Sequence, residues 1–137
     1  MAGGSGHYVR EGSVAVALYE KLNVDFEFSD ERGRLLQLVH CGYRQINLLE
    51  SKKGTVRGGH YHRLTSEAFF VMQGSVDVAL KQGPEQETVR FQKGDFFLIR
   101  PNTVHSLSAC EDNILLALYD VPVEQANGTK DIWPEEI

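Results

Sequence analysis

Residues 54–74 read GTVRGGHYHRLTSEAFFVMQG, and the fold turns on how that stretch is read. It runs from Gly54 through five residues to His60-Tyr61-His62, through four more to Glu67, and through six more to Gly74. On an extended strand, successive side chains point to opposite faces. His60 and His62 therefore share a face, and Tyr61 points the other way. Glu67 opens the next apolar run, with Phe69 and Val71 on one face and Phe70 and Met72 on the other. If the two runs are antiparallel neighbours, Glu67 reaches the histidine pair. Two imidazoles and a carboxylate suit a divalent transition metal, the carboxylate neutralising part of its charge. Without an ion, Glu67 inside a barrel would be a costly buried charge.

Downstream, short β-rich runs follow one another with turn residues between them. After Gly74 come runs at 76–80, 88–91, 96–99, 104–109 and 114–119, separated by Gln82-Gly83-Pro84, Lys93-Gly94, Pro101-Asn102-Thr103 and Glu111-Asp112-Asn113. His105 stands just past the proline turn. A fourth metal ligand from a distant strand is what a closed barrel supplies. Upstream, 23–29 alternates Val24, Phe26 and Phe28 with Asp25 and Glu27, as a half-buried strand does. Asp30-Glu31-Arg32-Gly33 is a turn, and 35–39 and 45–49 are further strands. Residues 13–22 fit a strand or a short helix. No long amphipathic helix is expected after residue 30. This pattern predicts an all-β fold, an antiparallel sandwich or barrel.

The whole chain has 137 residues, the size of one domain, and is 42% hydrophobic and 24% charged. Its net charge of −5 opposes binding to nucleic acid. No apolar run approaches the roughly 20 residues of a membrane span. The start, MAGGSG, lacks the charged and apolar regions of a secretory signal. Residues 1–12 are expected to be a flexible leader, 13–123 one barrel domain, and 124–137 a tail that packs on the barrel or on a partner through Trp133 and Pro134. Cys41 and Cys110 are expected as free thiols near strand ends, in a reducing cytoplasm.

The spacing around His60, His62, Glu67 and Gly74 resembles the first motif of the cupin superfamily at every position. Gly94-Asp95 and Pro101-x-x-x-His105 resemble the second motif. That second match departs in three ways. Asn102 and Thr103 stand where a glycine is usual, the approach to the histidine is one residue shorter, and Ala109 follows Ser108 where an asparagine is usual. The resemblance covers about residues 33–120 and implies a double-stranded β-helix, the cupin or jelly-roll barrel. It implies one divalent metal held by His60, His62, Glu67 and His105. The donor set does not choose among Zn, Fe, Mn, Ni and Co, and it leaves one or two positions open.

Asp30-Glu31-Arg32-Gly33 and Arg57-Gly58-Gly59-His60-Tyr61-His62 together are also similar to small cupins of deoxysugar and polysaccharide biosynthesis. These are the WxcM-like nucleotide-sugar isomerases and the capsule-biosynthesis cupin domains. That similarity implies an isomerase or epimerase acting on a sugar or nucleotide sugar. The same donor set also suits a non-haem Fe(II) dioxygenase, and the fold alone suits a non-enzymatic small-molecule-binding cupin.

Candidate substrate-binding residues are Gln45, Asn47, Arg57, Phe69 and Leu107. Gln45 and Asn47 share a strand face and line either the barrel mouth or an exposed edge. Arg57 is either a planar fork for phosphate or carboxylate or a solvated loop charge. Phe69, Val71 and Leu107 fall in phase with the ligands as an apolar floor, and Phe97 and Ile99 are candidates to join it. A histidine that ligates a metal cannot act as a base. Tyr43, Tyr119 and His40 are therefore candidates by residue type, and no catalytic residue is assigned. The expected partners are a small-molecule ligand and a second copy of the chain. The homodimer would cover sheet edges and outer faces, with Tyr61, Phe70 and Met72 contributing.

Overall fold

The strand sequences differ in how many faces they must bury. EAFFVMQ and FFLI are apolar at consecutive positions, so both faces need cover, whereas QINLLES and EQETVRFQ alternate and need cover on one face only. The computed structural model describes residues 17–137. Its strands are β1 (Glu20–Lys21), β2 (Phe26–Asp30), β3 (Gly33–Gln37), β4 (Gln45–Ser51), β5 (Val56–Tyr61) and β6 (Glu67–Gln73). They continue as β7 (Ser75–Gln82), β8 (Glu85–Gln92), β9 (Phe96–Ile99), β10 (Val104–Ser108), β11 (Asn113–Tyr119) and β12 (Trp133–Pro134).

One five-stranded sheet has the order β1-β9-β6-β11-β4, a second has β12-β5-β10-β7-β8, and β2-β3 form a separate hairpin. All the pairings are antiparallel. This is an all-β fold of antiparallel sheets that resembles a double-stranded β-helix.

The main core lies between the two five-stranded sheets. Phe69, Val71, Phe97, Ile99, Leu115 and Ala117 from the first meet Val76, Val78, Leu80, Phe91 and Leu107 from the second. Phe91 on β8 stacks on Phe97 on β9 with ring centroids 3.7 Å apart, which fixes one sheet against the other. Each such fully buried side chain contributes about 1.5–3 kcal/mol of transfer free energy. A second cluster lies on the outer face of the first sheet. There Ala68, Phe70, Phe96 and Leu118 are covered by Val24, Leu36, Leu38 and Tyr43. This covering explains why β6 and β9 are apolar on both faces.

The alternation at 23–29 assigned Phe26 and Phe28 to a buried face, and the structure places them otherwise. Phe26 and Phe28 stay about half exposed because the hairpin lies on the sheet through its other face, where Leu36 sits opposite Glu27. Residues 20–21 form a short edge strand, which settles that part of the ambiguous 13–22 segment; residues 13–16 and the expected leader lie outside the described residues. Phe70 is buried beneath the hairpin and is not available to a partner, whereas Met72 is exposed beside a bulge in β6.

Cys41 lies in the turn between β3 and β4, Cys110 just past β10, and both are free. Gly74 joins β6 to β7 at φ 78°, and a Cβ there would stand 2.3 Å from the Asp112 carbonyl oxygen, so no other residue fits that turn. Beyond residue 123 the chain runs back to pair Trp133 with Tyr61 along β5. Among the described residues no helix is long and apolar enough to cross a membrane.

Candidate metal centre

His60 lies on β5 and His62 just past its end; Glu67 is the first residue of β6, and His105 lies on β10. The three histidines come from the second sheet and the carboxylate from the first, so β5 and β6 are not the antiparallel neighbours that the spacing predicts, and Glu67 reaches the histidines across the two packed layers. One ligand atom from each of the four residues lies within 4.8 Å of the others. The imidazole centroids are 4.8–5.4 Å apart. His62, Glu67 and His105 are buried, and His60 is half-buried.

A bulge makes this convergence possible. His105 pairs with His60, but the next residue, Ser106, pairs with Gly58, so Gly59 is the extra residue in β5. Gly58 has φ 93°, and a Cβ on it would lie 2.7 Å from the His105 carbonyl oxygen. The double glycine thus lets the backbone of β5 approach β10 where both carry ligands.

The loop before His105 explains two of the three departures from the second motif. Asn102 takes φ 67°, a left-handed conformation that asparagine tolerates better than most residues, and its N–H donates to the His62 carbonyl at 2.6 Å. The Thr103 carbonyl accepts from His105 Nδ1 at 3.1 Å. Asparagine therefore does the conformational work of the usual glycine, and the shorter approach still delivers the histidine.

The electrostatics favour a cation at the centre of the cluster. His105 Nε2 is buried without a hydrogen-bond partner, 3.4 Å from Glu67 Oε1. His62 Nδ1 donates to the Asp131 carbonyl at 2.6 Å, and its Nε2 is 3.1 Å from the same Glu67 oxygen. Burial lowers the basicity of His62, but hydrogen bonds to Glu67 and Asp131 outweigh it and raise the pKa. Burial pushes the Glu67 carboxyl up, yet contacts with His105 and His62 prevail and hold it down at about 2. His60 is pushed down to about 4, first by burial and then by the neighbouring His105 and His62 rings.

The cluster thus offers a carboxylate, a neutral half-buried imidazole, and an orphaned buried nitrogen. This donor set fits a divalent transition metal, and fixing Nδ1–H on carbonyls leaves the Nε2 atoms of His62 and His105 as ligands.

Of the three acid–base candidates, only Tyr119 is brought to the cluster. Its ring lies 6.3 Å from that of His62, and its hydroxyl accepts from Asn47 Nδ2 at 3.4 Å. Burial and the Glu67 charge raise its pKa strongly, so it stays protonated. Tyr43 packs in the outer cluster, and His40 is exposed and paired with Asp25. Gln45 Oε1 accepts from the Val123 N–H at 3.1 Å. Arg57 is exposed and held by Ser51 Oγ and the Glu50 carbonyl. Phe69 and Leu107 lie in the main core together with Val71, Phe97 and Ile99.

Sequence reasoning missed Asp131, which sits in a stretch that reads as polar tail. The nearby Trp133, alone of its kind in the chain, was the available signal that this tail docks.

Residues 28–119 match the polysaccharide biosynthesis C-terminal domain family. The chain belongs to that family. Solved structures similar to this polysaccharide biosynthesis C-terminal domain share its fold at low identity. A sugar 3,4-ketoisomerase from Thermoanaerobacterium thermosaccharolyticum, in complex with TDP, is 17% identical over 78% of this chain and 83% of that one, with a TM-score of 0.68. A TDP-quinovose 3,4-ketoisomerase from Campylobacter jejuni is 20% identical over 84% and 94%, with a TM-score of 0.70. A dTDP-4-dehydrorhamnose 3,5-epimerase from Sulfolobus tokodaii is 22% identical over 75% of each chain, with a TM-score of 0.60. No curated protein matches the sequence.

Proposed function

We propose that this polysaccharide biosynthesis C-terminal domain is a metal-binding isomerase or epimerase of the cupin type that acts on a nucleotide-linked keto sugar. The observation that carries the reading is the bridging cluster of His60, His62, Glu67 and His105, with the orphaned Nε2 of His105 inside it. The fold it shares with sugar ketoisomerases and an epimerase supports the substrate class.

Moving a keto group to the neighbouring carbon removes the proton on that carbon and returns one to the former carbonyl carbon, while one oxygen gains a proton and the other loses one, through an enediol. A divalent metal, when bound, supplies a Lewis acid that polarises the keto oxygen. His60, His62, Glu67 and His105 would hold it. Tyr119, kept protonated by burial and by Glu67, is a hydrogen-bond and proton donor for a sugar oxygen, not a base. Asn47 orients the Tyr119 hydroxyl, and Gln45, one pleat away, is fixed by Val123.

The test is elemental analysis of the protein as purified, beside His60→Ala, followed by incubation with a TDP-linked 4-keto-6-deoxy sugar in deuterated water. The reading expects stoichiometric metal in the wild type only, and deuterium at the carbon next to the keto group. Bound iron with oxygen uptake and no deuterium incorporation would move the assignment to a dioxygenase. The expected macromolecular partner is a second copy of the chain.

A further inference from the structure

We propose that Asp131, in the C-terminal tail, is the positioning residue of the metal centre. It holds His62 and the loop from His62 to Glu67 in ligand geometry. This rests on the reading of the cluster as a metal site. Two groups of one residue converge on that loop from more than sixty positions away in the chain. The Asp131 carbonyl accepts the Nδ1–H of His62 at 2.6 Å. Its carboxylate accepts the N–H groups of three successive residues: Arg63 and Leu64 at 2.8 Å, and Thr65 at 3.0 Å.

The chemistry explains why one residue can do both. The loop from 62 to 66 carries its N–H groups in no strand, and buried N–H groups must find acceptors. A carboxylate has two oxygens and about four lone-pair sites, so it alone among side chains can gather three amides. Fixing the amides fixes the direction in which the chain leaves His62 and enters Glu67. Seating the carboxylate also seats its own main chain, which presents the carbonyl to His62. With Nδ1–H committed there, the ring has one orientation, and Nε2 faces Glu67.

The tail is pinned on both sides of Asp131. Its N–H donates to the Val123 carbonyl at 2.8 Å, and the Glu135 N–H donates to the Gly59 carbonyl at 3.0 Å. Trp133 donates Nε1–H to the carboxylate at 3.2 Å, with the Arg63 guanidinium over its ring at 3.7 Å. Asp131 is 4% exposed, so its charge is held by these donors and not by water.

The experiment compares the full-length wild type with Asp131→Asn and Asp131→Ala, all stripped of metal and labelled with nitrogen-15. In the wild type, the His62 Nδ1–H proton is expected to exchange slowly and to resonate downfield. In Asp131→Asn, which keeps one oxygen acceptor and loses the charge, that proton is expected to exchange with water. The His105 Nδ1–H on Thr103 is expected to persist in both, showing that the fold is intact.

Zinc affinity, read by titration with zinc alone, is expected to fall about tenfold to a hundredfold. A variant that folds, protects the His62 proton as the wild type does and binds zinc within twofold of it overturns the proposal. A wild type that binds no zinc but shows the stated proton behaviour leaves the positioning intact and removes the metal reading instead.

Discussion

His105 Nε2 stands 3.4 Å from Glu67 Oε1, buried and without a hydrogen-bond partner. An orphaned nitrogen of this kind costs about 1–3 kcal/mol in a metal-free protein, and a bound cation removes that cost. His105→Leu deletes the orphan but also the contact that holds down the buried Glu67 carboxyl and the bond to Thr103, so it should lower metal-free stability by about 1–3 kcal/mol. Metal at a hundred times its dissociation constant should stabilise the wild type by about 2.7 kcal/mol and the variant by far less. Denaturant unfolding with and without zinc, after chelator treatment, reads both numbers. Equal stabilisation of the two proteins would show that His105 is not a ligand.

What the sequence revealed depended on how local each feature is. His60 and His62 share a face through strand alternation alone, whereas Glu67, close in sequence, lies in the opposite sheet and reaches them only when the two layers pack. His105 was readable through Pro101, but the reason it reaches the site, Asn102 in a left-handed conformation, is a backbone property that a glycine-seeking pattern passes over. Asp131 acts through a carbonyl and on backbone amides, and such contacts leave no side-chain signature. The alternation of Phe26 and Phe28 told which residues share a face of the hairpin. Which face is covered depended on Leu36 and Leu38 finding the outer side of β6, β9 and β11, a tertiary fact.

His60 titrates against the usual direction for a histidine near a carboxylate. Its folded-state pKa is about 4, below the ordinary 6.5, first because of burial and then because of two neighbouring imidazoles. Between those values the unfolded chain binds more protons than the folded one. The contribution is therefore fully present above pH 6.5 and is lost as pH falls toward 4. His62 runs the other way: its raised pKa gives stability present below 6.5 and lost as pH rises through its folded value. In the metal-free protein, the His60 ring should remain neutral at pH 5.5 in a nuclear magnetic resonance titration, and His60→Asn should flatten the stability profile between pH 4 and 6.5. A midpoint near 6.5 for His60 would contradict this.

Tyr119 tests the chemistry without removing a ligand, its hydroxyl being hydrogen-bonded to Glu67. Its hydroxyl has a long contact with Asn47 and sits in the field of Glu67, which keeps it protonated. Tyr119→Phe should cost about 1 kcal/mol or less in stability. It should leave metal content unchanged and lower kcat on a nucleotide-linked keto sugar by about a hundredfold or more. A variant with wild-type kcat would remove Tyr119 as the donor.

Gly58→Ala probes the bulge. The new Cβ would lie 2.7 Å from the His105 carbonyl oxygen at φ 93°, so the backbone of β5 or β10 must shift. The expected loss is about 1–3 kcal/mol of stability together with weakened metal binding, because the shifted backbone carries His105 and His60. Gly83→Ala is the control, since its positive φ is also strained but nothing lies near its Cβ. It should lose stability without losing metal affinity. Equal metal affinity in both variants would show that the bulge does not set the ligand spacing.

The hairpin and β4 predict the assembly. Phe26, Phe28 and Leu35 share the outward face of the hairpin, 49–55% exposed, and Ile46 and Leu48 on β4 are 61% and 58% exposed. β4 is an edge of its sheet with one side unpaired among the described residues, and a two-stranded hairpin gains from a further strand. Half-exposed side chains of this size present roughly 500 Å² of apolar surface, a large part of the about 800 Å² per partner in a standard interface. A symmetric dimer would cover this surface with a copy of itself. Light scattering should therefore give twice the 15.4 kDa of one chain for the wild type. Phe28→Ser combined with Ile46→Ser should give a monomer that still binds metal, because neither residue touches the ligand cluster. A wild type that scatters as a single chain would leave the exposed phenylalanines without this role.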